Sequence, residues 1–231
     1  MTRSTGSRRP AARLFAYDRR RTTRAIAGAD EAGRGCLAGP IVAACVLFDV
    51  PGMSRVARRQ LSELNDSKQV APHIRARMAQ SIFAIAQQVV IVSAGPETID
   101  RDGLHATNLR ILAQAVDGLS SPAEAVVLVD GFTVASIRVH ERVIGGDGKS
   151  AAIAAASIVA KVTRDRIMVG LDAQYPEYGF ATHMGYATAV HRAAIARYGP
   201  TPMHRMSFRS DAYAMHLAEG VRGVSDHRGR R

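Results

Sequence analysis

The pattern of hydrophobic and polar positions along the chain predicts strands that alternate with helices. Short segments predict strands over residues 25–29, 41–48, 89–92, 125–129 and 139–144, and the second of them is rich in β-branched and apolar residues. Longer stretches with helical periodicity predict helices over residues 72–86, 108–116, 150–169 and 186–197. Such an alternation is typical of α/β or α+β layers around a mixed sheet, which is therefore the predicted fold class.

Length and composition narrow the possibilities further. The chain has 231 residues, 47% of them hydrophobic, which suits one globular domain with appendages. Tryptophan is absent and only 5% of the residues are aromatic, so stacking of bases on aromatic platforms should not dominate binding. Cys36 and Cys45 form no CxxC pair, which argues against a zinc ribbon or a disulfide framework. With no long apolar run and no secretory signal, we expect a soluble, cytoplasmic protein that does not bind membranes.

The net charge of +11 is concentrated at the two ends of the chain. The first 24 residues contain eight arginines and one acidic residue, and the segment from Arg205 onward contains six arginines and three acidic residues. We therefore predict a basic, flexible arm over residues 1–24, a folded domain that includes C-terminal helices over residues 25–210, and a short helix with a basic tail over residues 211–231. Basic tails either strengthen contact with a polyanion or only increase solubility, and charge alone does not decide between these roles.

Two adjacent carboxylates, Asp30 and Glu31, end the first predicted strand and precede the loop Gly33-Arg34-Gly35. Neighbouring buried carboxylates repel each other and lose hydration, so they should take up a proton or bind a metal ion. The arginine and the exposed amides of the glycine loop suit a phosphate. Because adjacent residues on a strand point to opposite faces, both carboxylates can serve one site only if the strand ends or twists there. Direct binding of a metal by Glu31 is thus left open.

Three more aspartates are candidates for the same site. Asp130 directly follows the apolar run 126–129, and Asp147 lies in a glycine-rich turn before the long helix. A helix N-terminus favours an anion, and a capping role is the more common use of aspartate at such a position. Asp165 is ~27 Å further along the same helix if that helix is continuous. We therefore predict that Asp165 forms a structural ion pair with Lys161.

Taken together, the motifs of this chain resemble those of the ribonuclease HII family, from about Ala25 to Phe208. Each motif is weak alone, but their number and order make chance agreement improbable. The matching segments are residues 30–35 (DEAGRG), 37–40 (LAGP), 66–68 (DSK), 129–131 (VDG), 146–150 (GDGKS), 154–165 (AAASIVAKVTRD), 178–180 (YGF), 183–186 (HMGY), 199–200 (GP) and 204–208 (HRMSF).

The resemblance implies an RNase H-like fold, with a mixed central sheet flanked by helices and a C-terminal helical extension. It also implies an endonuclease that cleaves the RNA strand of RNA–DNA hybrids and nicks duplex DNA on the 5′ side of an embedded ribonucleotide. The products are a 3′-hydroxyl and a 5′-phosphate. The sequence does not determine the oligomeric state, and a monomer is the default expectation. By the same resemblance, Asp30, Glu31, Asp130 and Asp147 are the four catalytic acids, and the first three bind the metal. Hard carboxylate oxygens suit Mg²⁺ or Mn²⁺, and two such ions would support hydrolysis.

Substrate-binding residues also follow from the resemblance. The backbone of Gly33, Arg34 and Gly35 is similar to the loop that contacts the ribose 2′-hydroxyl, the group that distinguishes RNA from DNA. Lys68 is expected to hold a backbone phosphate, and Tyr186 to stack on the deoxyribose that follows the ribonucleotide. Without the resemblance, these residues would be interpreted as a simple turn, a solvated charge and a core aromatic side chain.

Some positions depart from the family pattern or carry no clear functional signal. Gly145 and Met184 stand where many relatives have a lysine. His183, His191 and His204 are isolated in the sequence, so we predict structural roles for them and not metal binding or base catalysis.

Two alternative functions are consistent with the sequence. One is another nuclease or strand-transferase of the same fold, which acts on DNA without needing a 2′-hydroxyl. The other is a basic nucleic-acid-binding module without catalytic activity, whose acidic cluster holds only a structural ion.

Overall fold

Residues 10–22, 24–120, 124–137, 139–208 and 210–213 are described by the computed structural model. They divide into two compact units. The first unit is formed by the described residues of Met1–Ala32, Val42–Ser93 and Asn108–Thr163. The second is formed by those of Gly33–Ile41, Ala94–Thr107 and Arg164–Arg231.

A five-stranded sheet has the strand order β3-β2-β1-β4-β5. The strands are β1 (Ala25–Ala32), β2 (Ile41–Asp49), β3 (Gln88–Ala94), β4 (Val126–Asp130) and β5 (Glu141–Val143). Strand β1 is antiparallel to β2 and parallel to β4, and β4 is parallel to β5. The predicted mixed sheet is therefore confirmed, although the strand predicted over residues 139–144 is shorter.

Eight α-helices are present in the described part of the chain. They are α1 (Pro10–Arg19), α2 (Arg55–Gln60), α3 (Pro72–Ile85), α4 (Pro96–Asp102), α5 (Leu104–Asp117), α6 (Ala151–Gln174), α7 (Phe180–His183) and α8 (Ala189–Tyr198). The predicted helix over residues 186–197 begins late, at Ala189, because the hydroxyl of Thr188 caps it by accepting a hydrogen bond from the amide of His191. Within these described ranges, no helix is long and apolar enough to cross a membrane.

The N-terminal part of α6 packs against β1 in the first unit. Its residues Ala151, Ala152 and Ile153 are fully buried. A Cβ atom at Gly28 of β1 would lie 2.2 Å from the carbonyl carbon of Ala152. The close approach of α6 to the sheet thus requires glycine at position 28 of β1.

The prediction of a flexible arm over residues 1–24 is wrong for residues 10–22, most of which form α1. Ala11, Leu14 and Phe15 of this helix are buried, and the rings of Phe15 and Phe48 lie 6.3 Å apart between centroids. These apolar residues have helical spacing, but the surrounding arginines conceal it in the sequence. Residues 1–9 lie outside the described residues.

The second unit has its own apolar core, which includes Leu37, Met168, Tyr178 and Phe180. Helices α7 and α8 belong to this unit and form the C-terminal helical extension that the resemblance implies. The predicted short helix after residue 210 is one turn of 3-10 helix, Asp211–Tyr213. The predicted basic tail, from residue 214 onward, lies outside the described residues.

Candidate active site

Asp30 and Asp130 lie at the same edge of the sheet. Strands β1 and β4 are parallel neighbours, and Ala29 is the register partner of Val129. Each aspartate is the next residue in its strand, so parallel pairing brings the two side chains together at the carboxyl ends. This is how two acids one hundred positions apart in the sequence come to share one site.

A hydrogen bond connects Asp130 to the turn that contains Asp147. After β5, Gly145 adopts a left-handed conformation (φ 61°) and begins a 3-10 turn over Gly146–Gly148. The amide of Gly146 donates a hydrogen bond of 2.6 Å to Oδ1 of Asp130. The charge of Asp130 also raises the pKa of Asp147. Asp147 is therefore held close to Asp130, as the resemblance implies.

The predicted catalytic acids destabilise one another's charged forms. Burial raises the pKa of Asp30 well above its usual range, and the charges of Glu31 and Asp130 raise it further. Burial likewise raises the pKa values of Asp130 and Asp147. Closely spaced, partly dehydrated carboxylates of this kind are stabilised by a bound cation.

The strand does not end at Glu31, which was one of the two ways in which Asp30 and Glu31 could serve the same site. Strand β1 continues through Ala32, and Glu31 still pairs with Ala43 of β2. The charge of Glu31 nevertheless raises the pKa of Asp30. Direct metal binding by Glu31 stays a prediction.

Asp66 is an acidic neighbour of the site that the sequence interpretation missed. Its charge raises the pKa values of both Asp147 and Asp130, and its carboxyl forms a hydrogen bond with that of Asp147. Oδ1 of Asp66 also accepts a hydrogen bond of 2.9 Å from the amide of Lys68. The motif at residues 66–68 was visible in the sequence, but only its lysine was given a role.

The Lys68 turn is fixed to the helix that lies beside Asp30. The hydroxyls of Ser67 and Ser157 lie 2.9 Å apart and are hydrogen-bonded, and both side chains are buried. Ser157 also forms a hydrogen bond with Asp30, which lowers the pKa of Asp30 and so opposes the effect of burial. The exposed Lys68 lies near enough for its charge to lower the pKa of Asp130. The positive charge of Lys68 thus lies close to the acidic cluster.

The donor chemistry of this cluster fits a divalent cation that keeps part of its water shell. Among the residues that the structure describes, no three histidine, cysteine or acidic side chains are arranged to hold a metal ion together. Mg²⁺ normally binds one or two protein carboxylates and takes its other ligands from water and substrate phosphate, so it needs no complete protein cage. After burial, the charge of Glu31 and then that of Asp130 raise the pKa of Asp30, so a cation bound beside Asp30 would relieve repulsion from both neighbours.

In the second unit, two buried arginines hold the segment after β1. The guanidinium of Arg164 donates hydrogen bonds to the carbonyls of Pro40 (2.9 Å), Met184 (2.8 Å) and Ala38 (3.0 Å). Arg205 donates to the carbonyls of Gly39 (3.0 Å) and Arg34 (3.1 Å). Burial and the charge of Arg164 lower the pKa of Arg205 to about 10. Neither arginine was predicted to be functional, although each lies in a motif of the resemblance.

The two glycines of the predicted ribose-contacting loop differ in what the fold requires of them. Gly33 has a φ of 99°, and a Cβ atom there would lie 2.1 Å from Nε of Arg164. Gly35 is exposed, its φ is not in the left-handed region, and a Cβ atom there would meet nothing within 4 Å. The fold therefore requires glycine at position 33 but not at position 35.

Tyr186 is not a core aromatic residue. Its side chain is 45% exposed. Its carbonyl accepts a hydrogen bond of 2.9 Å from Nδ1 of His191, which fixes the backbone at this position. A ring that is half accessible and carried on a fixed backbone is suited to contact with a ligand.

The three histidines predicted to be isolated form a cluster in the second unit. The rings of His183 and His191 stack at 4.4 Å between centroids, and Nε2 of His191 lies 3.1 Å from Nε2 of His204. The neighbours assign one set of neutral tautomers, because Nδ1 of His191 donates to Tyr186 while Nδ1 of His204 accepts from the amide of Thr201 (2.9 Å). Nε2 of His204 then donates to His191, so the predicted structural role fits, although the predicted isolation is wrong.

The comparisons with known proteins agree with this geometry. The sequence matches the family Ribonuclease HII over residues 27–211. It is 50% identical over 184 residues to ribonuclease HII of Azorhizobium caulinodans, with 79% of this chain and 68% of that protein covered. It is 48% identical over 187 residues to ribonuclease HII of Mycobacterium avium, with 79% and 77% covered.

Solved structures show the same fold. The crystal structure of ribonuclease H2 from Pyrococcus horikoshii matches with a TM-score of 0.70 and 26% identity, over 86% of this chain and 99% of that chain. Bst-RNase HIII in complex with Mn²⁺ matches with a TM-score of 0.68 and 20% identity, over 95% and 77% of the two chains. The RNase H-like fold is thus confirmed. From its sequence match, its relatives and its fold, the chain belongs to the ribonuclease HII family and is a ribonuclease.

Proposed function

We propose that this ribonuclease is an endonuclease that cleaves the RNA strand of RNA–DNA hybrids and nicks duplex DNA on the 5′ side of a single embedded ribonucleotide. The observation that carries the proposal is the hydrogen bond from Gly146 to Asp130, which joins the turn of Asp147 to the edge of the sheet where Asp30 and Asp130 meet. Water attacks the phosphorus, the bond to the 3′-oxygen breaks, and the products are a 3′-hydroxyl and a 5′-phosphate.

The acids would act as ligands of divalent cations, Mg²⁺ or Mn²⁺. Asp30, Glu31 and Asp130 are the proposed ligands, and Asp147 completes the catalytic set. Two such ions, when bound, would activate the attacking water and stabilise the charge on the departing 3′-oxygen. This role explains why burial of the carboxylates and their mutual repulsion are tolerated: the site is complete only with added positive charge.

Lys68 and Asp66 would position the phosphate and the turn around it. The amide of Lys68 is held by Asp66, and the Ser67–Ser157 hydrogen bond fixes the residue between them. The ammonium group of Lys68 is left exposed, so it is available to a phosphate oxygen. Because this lysine carries a point charge, it binds backbone phosphate without reading the base.

The loop Gly33-Arg34-Gly35 would distinguish ribose from deoxyribose. Gly35 is a glycine that the fold does not require, which supports a role in letting the backbone approach a sugar. Tyr186, half exposed, would stack on the sugar that follows the ribonucleotide. Both interactions recognise the sugar and not the base, so cleavage should be independent of sequence.

One experiment separates this proposal from its alternatives. Three duplexes of one sequence are incubated with Mn²⁺ or Mg²⁺: all-DNA, DNA with one ribonucleotide, and an RNA–DNA hybrid. We expect one nick on the 5′ side of the ribonucleotide, cleavage of the hybrid, and an intact all-DNA control. Cleavage of the all-DNA duplex would instead favour a DNA nuclease or strand-transferase, and no cleavage of any duplex would favour a non-catalytic binding module.

A further inference from the structure

Helix α1 lies outside the segment that matches the ribonuclease HII family, which begins at residue 27. It nevertheless forms one wall of a cleft of about 480 Å³, and the opposite wall includes Gly148 and Lys149. We call this the α1 cleft. Its other lining residues are Ala12, Arg13, Ala16, Tyr17, Arg19 and Arg20. The cleft adjoins the catalytic turn, because Gly148 directly follows Asp147.

The α1 cleft is lined by four basic residues and no carboxylate. Arg13, Arg19 and Arg20 are exposed, and within the described ranges no acidic side chain pairs with their guanidinium groups. Lys149 donates a hydrogen bond of 2.7 Å from Nζ to the carbonyl of Ile144, which holds the ammonium group in place. A concave surface with one sign of charge concentrates anions.

The one aromatic residue of the cleft is already engaged. The guanidinium of Arg21 stacks 3.5 Å from the ring centroid of Tyr17, and the same guanidinium pairs with Glu141 at 2.8 Å. One face of the only ring in the described lining is thus covered by a guanidinium, whereas the lining has four cationic side chains. The ligand that fits is a chain of phosphates, whose recognition requires only cations.

A buried carboxylate fixes α1 in this position. Asp18 is fully buried, and its Oδ2 accepts a hydrogen bond of 3.1 Å from the amide of Ala152 in the first turn of α6. The hydroxyl of Ser150 caps α6 by accepting from the amide of Ile153 (3.2 Å). It also lies near enough to Asp18 to oppose the effect of burial, which raises the pKa of Asp18. Asp18 of α1 therefore helps to cap α6, which begins three residues after the 3-10 turn Gly146–Gly148.

We propose that α1 is a substrate-binding element, anchored by Asp18, whose α1 cleft holds the phosphodiester backbone of the nucleic acid beyond the catalytic acids. This inference rests on the proposed function for the identity of the nucleic acid. The cleft binds without regard to base sequence, and it strengthens binding without taking part in hydrolysis.

The test compares two double variants that remove the same charge. Arg13→Ala with Arg20→Ala removes two of the four basic residues of the α1 cleft, whereas Arg55→Ala with Arg59→Ala removes two exposed arginines of α2 that do not line it. Binding of duplex DNA with one ribonucleotide is measured in EDTA over a range of salt concentrations, so no cleavage interferes. Log of the association constant falls linearly with log salt concentration, and the loss of two phosphate contacts should make this slope less negative by ~2. Binding should weaken ~10-fold near physiological salt. The α2 variant should lose clearly less, and kcat at saturating substrate should be unchanged in the α1 variant.

The anchor is tested by Asp18→Ala against Asp18→Asn. Both variants raise the net charge by one, so simple electrostatics predicts tighter binding. The proposal predicts weaker binding for Asp18→Ala and nearly normal binding for Asp18→Asn, because asparagine caps helices about as well as aspartate. Circular dichroism confirms that each variant is folded.

Equal losses of affinity in the two double variants, or no loss in either, would refute the proposal that the α1 cleft binds the nucleic acid. Binding as tight as wild type by a folded Asp18→Ala variant would refute the proposal that Asp18 anchors α1. Because binding is measured without hydrolysis, a wild-type protein that fails to nick the duplex would refute the proposed function while the comparison of variants still tests the cleft.

Discussion

The amide of Gly146 donates a hydrogen bond of 2.6 Å to Oδ1 of Asp130, and this bond connects one proposed catalytic acid to the turn that carries another, Asp147. A Cβ atom at position 146 would lie 2.4 Å from Cδ1 of the buried Ile153 and 3.1 Å from Oδ1 of Asp130. The turn has no room for a side chain, so it can hold Asp147 in place only with glycine at this position.

We therefore predict that Gly146→Ala displaces the turn and lowers kcat/KM for nicking by ~10- to 100-fold, the range typical of residues that orient metal ligands. Gly170→Ala is the control, because nothing lies within 4 Å of a Cβ atom at that exposed helical position. The control should keep wild-type activity and gain ~0.5–1 kcal/mol of stability. Steady-state kinetics and thermal unfolding measure both, and wild-type activity of Gly146→Ala would refute the coupling.

Alanine substitutions of Gly33 and Gly35 should affect different properties, stability in the first case and substrate binding in the second. Gly33→Ala forces a side chain into Arg164 and should lower the unfolding temperature. Gly35→Ala enters open space and should leave that temperature unchanged. If the backbone at Gly35 approaches the ribose, the added methyl group should still raise KM for a ribonucleotide-containing duplex at least severalfold. Wild-type KM for Gly35→Ala would show that the substrate does not approach this backbone.

Arg164 should not be replaceable by lysine. Its guanidinium donates to three carbonyls at fixed angles, which an ammonium group on a flexible stem cannot reproduce. We expect Arg164→Lys to loosen the segment from Ala38 to Pro40, to destabilise the protein and to raise KM. The matched control is Arg166→Lys, an exposed arginine of the same helix, which should behave as wild type. Similar effects of the two substitutions would contradict the structural role of Arg164.

The histidine cluster should make stability depend on pH. Burial, together with the charges of neighbouring histidines, lowers the pKa values of His191 and His204 to about 4 from the usual 6.5. The unfolded chain then binds more protons between these values, so the free energy of unfolding should fall as pH decreases from 6.5 to 4, by on the order of 2 kcal/mol for each histidine.

Asp18 changes the pH dependence of stability in the opposite direction. Its contribution cancels when wild type is compared with a histidine variant that retains Asp18. Burial raises the pKa of Asp18 from 3.8 to about 6, so its contribution to stability is lost as pH rises through this range. Denaturant unfolding of wild type and of His204→Gln is therefore compared at each pH. The free energy of unfolding of wild type minus that of the variant should increase as pH rises from 4 to 6.5, and a difference that does not change with pH would refute the protonation of the cluster.

The sequence predicted the parts of the site that depend on local pattern. Apolar runs that end in aspartate, as in β4, are visible directly, and parallel pairing of β1 with β4 then places Asp30 beside Asp130. The close packing of α6 was also predictable, because its small residues are consecutive. In each case the signal lies within a few residues of the element that it describes.

The features that were missed depend on partners far away in the chain. Arg164 donates to Pro40, 124 positions earlier, and its motif does not indicate that it is buried whereas Arg166, two positions on, is exposed. Asp18 caps α6 from 134 positions away, and the arginines around it suggested a flexible arm. Such pairings are set by tertiary packing and not by periodicity, so only the structure reveals them.

The most direct test of the account is the nicking rate of Asp130→Asn. The substitution keeps the size of the side chain and the acceptor oxygen for Gly146, but removes the negative charge that would hold a divalent cation. With saturating Mn²⁺ and a duplex that contains one ribonucleotide, we predict a single-turnover rate lower by roughly 10⁴-fold, as when one member of a catalytic unit is lost, with unchanged folding. A folded Asp130→Asn that nicks this duplex at nearly the wild-type rate would contradict the assignment of the carboxylate cluster as the metal-dependent active site.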